Sequence, residues 1–146
     1  MGKNVRDVMT DRPRSVTAET PVIQVAELME TEDVGVVPVV MGDRLLGVVT
    51  DRDIVVRVVA KGRNPNDVSA ADAASQDLIT VTPDEGLGDA LKLMAQYQVR
   101  RLPVVGEDNR LLGVVSQADV AMFAKEKETG ELVEEISRPP EGPRTV

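Results

Sequence analysis

The feature that most constrains this fold is a seven-residue pattern that occurs twice. Residues 47–53 read Gly-Val-Val-Thr-Asp-Arg-Asp, and residues 113–119, 66 positions later, read Gly-Val-Val-Ser-Gln-Ala-Asp. In each copy an apolar run, typical of a buried strand, ends at a hydroxyl residue that is followed three positions later by an aspartate. Such a hydroxyl residue often caps a helix, because its oxygen accepts a hydrogen bond from the first free backbone N–H groups. The pattern therefore predicts two strands that each lead into a helix.

Other landmarks keep nearly the same register. Four pairs of identical residues are 65 positions apart: Asp7 and Asp72, Val16 and Val81, Met29 and Met94, and Pro38 and Pro103. The separation becomes 66 after the predicted hairpin, where the second copy has one extra turn residue. So many landmarks in one register indicate an internal repeat rather than coincidence.

The repeat divides the chain into four parts. We predict a first repeat at residues 1–62, a linker at 63–67, a second repeat at 68–127, and an acidic helix with a disordered tail at 128–146. One repeat has too little apolar surface to be stable alone. The two repeats are therefore expected to pack together with approximate twofold symmetry.

Each repeat has the periodicity of a short helix, a strand, an amphipathic helix, a hairpin of two strands and a closing helix. In the first repeat these elements are predicted near residues 5–9, 15–17, 22–32, 34–40, 44–49 and 50–62. In the second they are predicted near residues 71–74, 78–82, 88–97, 99–105, 110–115 and from 116 onward. Thr20, just before Pro21, is the expected N-cap of the first amphipathic helix. The predicted fold class is α/β (α+β), built from two β-α-β-β-α repeats.

Composition narrows the possible functions. The 146 residues are 42% hydrophobic with one Tyr, one Phe and no Trp, so the core must be aliphatic. Cys and His are absent, which excludes disulfides, thiolate metal sites and the commonest catalytic base. A net charge of −8 argues against nucleic-acid binding. No apolar run reaches the ~20 residues of a membrane span. We therefore expect a cytoplasmic protein that is not an enzyme, with no metal site and no membrane partner.

The duplicated motif suggests a ligand site. The start of a helix attracts anions, because its free N–H groups and its dipole point the same way. Thr50 with Asp53, and Ser116 with Asp119, would add a hydroxyl and a carboxylate at that point, which suits a ribose and its phosphate. Two simpler interpretations stay open. The motif is also a capping box, which serves only local stability, and the acid pair of Asp51 and Asp53 is compatible with a metal, although Arg52 between them favours a solvated first turn.

The succession of these elements, with Pro-Val-Val in the second strand and Gly-Val-Val-Thr/Ser-x-x-Asp after the hairpin, resembles the CBS domain, named after cystathionine β-synthase. Two in tandem resemble a Bateman module, and the resemblance covers about residues 3–125. It implies a regulatory module whose clefts, between paired domains, bind adenosine-containing ligands such as AMP, ADP, ATP, S-adenosylmethionine or NAD-type molecules. It also implies that Asp53 and Asp119 accept ribose hydroxyls and that Thr50 and Ser116 contact phosphate.

The resemblance also implies that the two clefts differ. A basic residue before the Leu-Pro-Val segment reaches the phosphates in related modules, and Arg101 matches it in the second copy, where the first copy has Val36. We therefore expect a phosphorylated nucleotide at Arg101, Ser116 and Asp119, and a weaker ligand or none at Thr50 and Asp53. Arg100 either serves the cleft of Thr50 and Asp53 or is merely exposed. The adenine side of the Arg101 cleft is expected to be lined by Val16, Thr17, Thr20, Val34 and Val36.

Two functions follow from these interpretations. The first is a non-enzymatic sensor of adenosyl ligands that acts on a protein partner in trans. The alternative is a dimeric scaffold that acts without a ligand. In both cases we predict a homodimer through the amphipathic helices at residues 21–32 and 88–97, whose apolar edges carry Val22, Met29, Leu87, Leu91 and Met94.

Overall fold

The computed structural model describes residues 3–123, which form two compact units. One unit consists of residues 13–78, and the other of residues 3–12 together with residues 79–123. The predicted acidic helix and tail at residues 128–146 lie outside the described residues. Helices and strands are both abundant, which confirms the α+β fold class.

The elements alternate along the chain much as the sequence predicts. The strands are β1 (Thr10–Asp11), β2 (Val16–Thr17), β3 (Val36–Met41), β4 (Arg44–Thr50), β5 (Arg101–Val105) and β6 (Leu111–Ser116). The helices are α1 (Val22–Glu32), α2 (Asp51–Ile54), α3 (Ala70–Ala73), α4 (Leu87–Tyr97) and α5 (Gln117–Phe123). Short 3-10 turns occupy Val5–Asp7 and Glu107–Asn109, and a π-helical stretch at Val55–Val59 continues α2.

The unit of residues 13–78 contains a sheet in the order β2-β3-β4. β2 runs parallel to β3, and β3 pairs antiparallel with β4, so that Val36 lies opposite Thr50. On the other edge of β4, the backbone of Ser75 exchanges two hydrogen bonds with Val48. The hairpin thus places the hydroxyl of the first motif at the end of β4, where α2 begins.

The other unit repeats this arrangement. Its sheet has the order β1-β6-β5, with Arg101 opposite Ser116 across the antiparallel pair of β5 and β6. β1 pairs antiparallel with β6, and Val81 forms a parallel bridge to Val104 of β5. The second motif therefore stands at the end of β6, in the position that the first motif has at the end of β4.

The compact units do not coincide with the two sequence repeats, because each repeat begins with a segment that packs on the sheet of the other. We call these the exchanged segments. Each of them passes close to the glycine of a duplicated pattern, and the absence of a side chain there makes room for it. A Cβ on Gly113 would lie 2.7 Å from the Thr10 carbonyl oxygen, and a Cβ on Gly47 would lie 2.7 Å from the Ser75 carbonyl oxygen. Such distances are too short for any side chain, so only glycine allows the incoming backbone to approach the strand this closely.

Each unit has its own aliphatic core, as the composition predicts. The cores are built almost entirely from Val, Leu, Ala, Met and Ile. The largest fully buried side chains are Leu91, Met94, Leu102, Val5, Val22, Val25, Val37, Val39, Val49, Val58 and Val81. Each Å² of apolar surface that is buried stabilises the folded state by about 25 cal/mol. These residues are therefore the main source of stability.

The prediction that Thr20 caps the first amphipathic helix is wrong. Pro21 occupies the N-cap position, and the Thr20 hydroxyl instead accepts a hydrogen bond from the Thr17 N–H at 3.2 Å. The first N–H groups of α1 are satisfied by main-chain carbonyls, since Val22 donates to Val68 and Ile23 donates to Pro65. A side-chain cap is therefore not needed at this helix start.

The predicted strand at residues 78–82 is also wrong, since only Val81 pairs with β5 there. The chain leaves the sheet directly afterwards in a turn around Pro83, closed by a hydrogen bond from Glu85 N–H to the Thr82 carbonyl. Pro83 also lacks the N–H that a further ladder bond would need.

The apolar residues predicted for the dimer interface are mostly not available for it. Val22, Leu87, Leu91 and Met94 are buried within their own units. Met29 is half-buried against the core of residues 13–78. The amphipathic faces of α1 and α4 thus contribute to the cores, and this part of the prediction is wrong.

Candidate functional site

Both duplicated motifs form capping boxes. In the first, Thr50 N–H donates to Asp53 Oδ2 at 2.8 Å and Asp53 N–H donates to Thr50 Oγ1 at 3.0 Å. In the second, the corresponding hydrogen bonds between Ser116 and Asp119 are both 3.1 Å long. The stabilising interpretation of the motif is thereby confirmed, and any ligand must bind to what these boxes leave available.

The two helix starts differ in their free N–H groups. At α2, Asp51 N–H donates to the Gly35 carbonyl at 3.1 Å, and Arg52 N–H donates to Asp51 Oδ1 at 2.8 Å. At α5, Gln117 N–H donates to the Arg100 carbonyl at 2.8 Å. The Ala118 N–H has no acceptor among residues 3–123. Free backbone N–H groups were expected at both helix starts. Within residues 3–123, the first turn of α2 has none, and the first turn of α5 has one, that of Ala118.

The side chains behind this difference are Asp51 and Gln117, which occupy the same position in the two motifs. The Asp51 carboxylate accepts the hydrogen bond of Arg52 N–H and adds a negative charge at the start of α2. Gln117 is neutral and makes no such contact within the described residues. An anionic ligand is consequently disfavoured at the first motif and tolerated at the second.

The aspartates of the motifs also differ in their surroundings. Asp53 is 8% exposed, and its carboxylate accepts a hydrogen bond from the Ser75 hydroxyl, with Oγ 3.2 Å from Oδ1. Arg57 Nε lies 3.8 Å from the same Oδ1. Asp119 is half-buried, and among residues 3–123 its carboxylate accepts only from Ser116 N–H. Within residues 3–123, one carboxylate oxygen of Asp119 thus has no partner, whereas both oxygens of Asp53 have one.

A basic residue lies opposite the hydroxyl residue of the second motif but not of the first. Arg101 is exposed at the start of β5, opposite Ser116, and makes no ion pair with any residue of the described chain. The corresponding pair in the other unit is Val36 and Thr50. Arg100 is exposed as well, and its contribution to α5 is its carbonyl, which accepts the Gln117 N–H. The structure therefore brings Arg101, Ser116 and Asp119 together at one end of one hairpin.

The residues predicted for the adenine side all belong to the unit of residues 13–78. Val36 begins β3 beside Thr50, and Val34 is exposed just before it. Val16 pairs with Val39, and the hydroxyls of Thr17 and Thr20 lie 3.1 Å apart. Their role toward Arg101 stays a prediction.

Ser75 and Arg57, which flank Asp53, were not predicted from the sequence. Ser75 is 22 positions from Asp53 and enters from the exchanged segment, whereas Arg57 is only four positions away on the same predicted helix. A position-by-position comparison of the repeats contains a signal, since Arg57 corresponds to Phe123 and Ser75 corresponds to Thr10. A charged residue in one copy and an aromatic in the other indicates that the two carboxylates have different partners.

Nothing in the described residues resembles a metal centre or a membrane segment. Across residues 3–123 no three His, Cys, Asp or Glu side chains are grouped so that they could hold a metal. The acid pair of Asp51 and Asp53 is divided, since one carboxylate binds Arg52 N–H and the other binds Ser75 and Arg57. Among the same residues no helix has both the length and the apolar character needed to cross a bilayer.

The fold and the two motifs define a class of α+β proteins with tandem repeats, each of which carries Thr/Ser-x-x-Asp after a hairpin. The family model described as CBS domain matches residues 5–60 and 70–126. This chain belongs to the CBS domain family. The Bacillus subtilis CBS domain-containing protein YhcV is 39% identical over 119 residues, which cover 82% of this chain and 84% of that protein.

Solved structures agree with this assignment. Hypoxic response protein 1 of Mycobacterium tuberculosis is 34% identical over 92% of this chain and 94% of its own length. A crystal structure of Hypoxic Response Protein I with two coordinated zinc ions superposes with a TM-score of 0.77 over 84% of this chain and 100% of that chain. A structure of CBSX2 in complex with AMP is 28% identical, with a TM-score of 0.73 over 83% of this chain and 95% of that chain.

Proposed function

We propose that this chain is a non-enzymatic regulatory module that binds an adenine nucleotide or another adenosyl ligand and acts on a protein partner in trans. The candidates are AMP, ADP, ATP, S-adenosylmethionine and NAD-type molecules. The AMP complex of CBSX2 supports this class of ligand. The observation that carries the proposal is the position of Arg101 opposite Ser116, three residues before Asp119, whose carboxylate has one oxygen without a partner among residues 3–123.

Each group of this site suits one part of a nucleotide. The guanidinium of Arg101 and the N–H of Ala118 are donors for phosphate oxygens, and guanidinium–phosphate hydrogen bonds are among the stronger polar contacts in proteins. Ser116 Oγ accepts from Asp119 N–H, which leaves its hydroxyl hydrogen for a phosphate oxygen. The remaining oxygen of Asp119 accepts a ribose hydroxyl.

A thermal-shift panel tests this proposal. AMP, ADP, ATP, S-adenosylmethionine and NADH are added at millimolar concentration to the purified chain. A ligand present at 100 times its dissociation constant stabilises the folded state by about 2.7 kcal/mol, which raises the melting temperature by several degrees. If no member of the panel raises the melting temperature, the module does not sense these ligands.

A ligand-independent scaffold is the second candidate. It is favoured by the capping boxes, which give both motifs a structural purpose without any ligand. Pull-down of a partner protein with and without nucleotide separates the two functions. A sensor captures its partner in a nucleotide-dependent manner, whereas a scaffold captures it equally in both conditions.

We also propose that the chain forms a homodimer, through a surface other than the one predicted from sequence. The π-helical stretch after α2 exposes Val55 and Val59, with 57% and 62% of their surface accessible. Val56 on the same stretch is also exposed. Adjacent exposed valines on one helical stretch form an apolar patch of the kind that marks an interface, and a second copy of the chain is the occupant that we propose.

A further inference from the structure

The carboxylate of Asp53 is already occupied by groups of the chain itself. Its Oδ2 accepts Thr50 N–H at 2.8 Å, and the Ser75 hydroxyl lies 3.2 Å from Oδ1 and 3.5 Å from Oδ2. Arg57 Nε is 3.8 Å from Oδ1. These groups surround both oxygens of a carboxylate that is only 8% exposed. A ribose hydroxyl would therefore reach Asp53 only if Ser75 or Arg57 moved aside.

Ser75 is not easily displaced. Its N–H donates to the Val48 carbonyl at 2.8 Å, and its carbonyl accepts from Val48 N–H at 3.1 Å. The Ser75 carbonyl also passes so close to Gly47 that no side chain fits between them. The backbone of Ser75 is thus fixed on the edge of β4, which holds its hydroxyl against Asp53.

Arg57 is anchored as well. Its Nη1 donates to the Ala74 carbonyl at 2.9 Å and lies 3.4 Å from the Ala73 carbonyl, at the end of α3. The side chain therefore bridges the end of α3 and the Asp53 carboxylate. The π-helical stretch of Val55–Val59 includes this arginine, and such stretches are frequent at functional sites.

The second repeat has neither of these partners. The residue that corresponds to Arg57 is Phe123, which has no charge to place beside Asp119. The residue that corresponds to Ser75 is Thr10, and no hydrogen bond joins its side chain to Asp119 within residues 3–123. Within residues 3–123, the carboxylate of the motif thus has additional partners in the first repeat and none in the second.

We propose that Ser75 and Arg57 determine which repeat binds the nucleotide: they occupy the Asp53 carboxylate, so that the chain takes up a single nucleotide, at Asp119. This inference rests on the proposed function and adds to it the stoichiometry and the residues that set it. Asp53, Ser75 and Arg57 then form a structural cluster, although Asp53 has the sequence position of a ribose-binding aspartate.

Calorimetric titration with adenosine tests the inference on the full chain, because adenosine has no phosphate for the Asp51 carboxylate to repel. The wild-type protein is compared with Asp53→Asn, with the double variant Ser75→Ala and Arg57→Phe, and with that double variant carrying Asp53→Ala in addition. Arg57→Phe introduces the residue that the second repeat has at this position. We expect one adenosine per chain for the wild type and for Asp53→Asn, two for the double variant, and one again for the triple variant.

The outcomes separate this inference from the proposed function. Two adenosine molecules per wild-type chain, with one lost in Asp53→Asn, would overturn the inference and leave the proposed function intact. A folded double variant that still binds one adenosine would also overturn it. If the double variant does not fold, an unchanged stoichiometry and affinity in Asp53→Asn supports the inference. If the wild type binds none of the adenosyl ligands, the proposed function fails and the inference fails with it.

Discussion

Asp53 and Asp119 have equivalent positions in the two repeats, yet they differ in what their carboxylates contact. Asp53 is buried and shared among Thr50, Ser75 and Arg57, whereas Asp119 contacts only Ser116 among residues 3–123. A carboxylate that holds a local structure together and one that keeps an oxygen available should respond differently to mutation. This difference can be measured without knowing the ligand.

Asp53→Ala should therefore destabilise the chain more than Asp119→Ala. Loss of a capping oxygen costs about 0.5–2 kcal/mol in either variant. Asp53→Ala also leaves the half-buried Ser75 hydroxyl without its acceptor, which should add about 1–3 kcal/mol. Arg57 is exposed and keeps the Ala74 carbonyl, so the loss of its ion pair should add little. Urea unfolding of the two variants measures the difference. Equal losses would mean that the contacts of Ser75 and Arg57 contribute nothing to stability.

Arg101→Ala should weaken binding of phosphorylated ligands by about 1.5–3 kcal/mol, the usual contribution of a hydrogen bond to a charged group. Adenosine binding should change little, because adenosine has no phosphate. Titration calorimetry with AMP and adenosine gives both affinities. Arg100→Ala is the matched control, since it removes the same charge from the neighbouring exposed position. Equal losses in the two variants would assign the effect to net charge rather than to a contact of Arg101.

The capping boxes could be predicted from sequence because every residue that forms them lies within four positions. Ser75 could not be connected to Asp53 in this way, since it is 22 positions away and arrives on an exchanged segment. Arg57 lies only four positions from Asp53, but its anchoring by the Ala74 carbonyl depends on the same exchange. The local chemistry of the site was therefore predictable, and its closure in the first repeat was not.

At the scale of secondary-structure elements, the exchanged segments decide how each sheet is completed. β1 lies along β6, and Ser75 lies along β4, in each case over the glycine of the duplicated pattern. The glycine is therefore needed for packing, whether or not a ligand binds. The close approach of β1 to β6 can be tested by mutation.

Gly113→Ala should destabilise the chain by about 1–3 kcal/mol, the range for overpacking a well-filled site. Its Cβ would lie 2.7 Å from both the Thr10 carbonyl oxygen and the Met9 sulfur. Gly86→Ala is the control, because a Cβ there meets nothing closer than 3.8 Å. Thermal unfolding compares the two. A smaller effect at Gly113 than at Gly86 would contradict the close packing of β1 on β6.

The long elements could be predicted and some short ones could not, for a physical reason. α1, α4 and the hairpin strands bury regular apolar faces, so their periodicity is present in the sequence. β1 contains two exposed residues and was not predicted, whereas residues 78–82 look like a strand and form one bridge. Segments this short are stabilised by pairing with a neighbouring strand. Their own hydrophobic pattern is too short to identify them.

At the scale of the whole molecule, the homodimer can be tested through Val59. Val59→Asp should dissociate the dimer, because it places a charge in the middle of the apolar patch of Val55, Val56 and Val59. Light scattering should give twice the chain mass of 15.7 kDa for the wild type and 15.7 kDa for the variant. Met41→Asp is the control, since Met41 and Val59 are both 62% exposed and Met41 lies outside the patch.

A wild-type protein of 15.7 kDa at micromolar concentration would rule out the dimer. A dimer that survives Val59→Asp and dissociates in Met41→Asp would place the interface on the hairpin of β3 and β4 instead. Either result leaves the nucleotide site untouched, because Arg101, Ser116 and Asp119 are not part of the proposed patch.

The decisive measurement for this nucleotide site is calorimetric titration of AMP into the wild type and into Asp119→Ala in parallel. We expect the wild type to bind AMP and Asp119→Ala, shown to be folded by thermal unfolding, to lose this binding because the ribose hydroxyls have no acceptor. Asp53→Asn serves as the matched variant in the other repeat and should bind as the wild type does. Unchanged binding by folded Asp119→Ala, or binding lost in Asp53→Asn instead, would contradict the assignment of the nucleotide to the site of Arg101, Ser116 and Asp119.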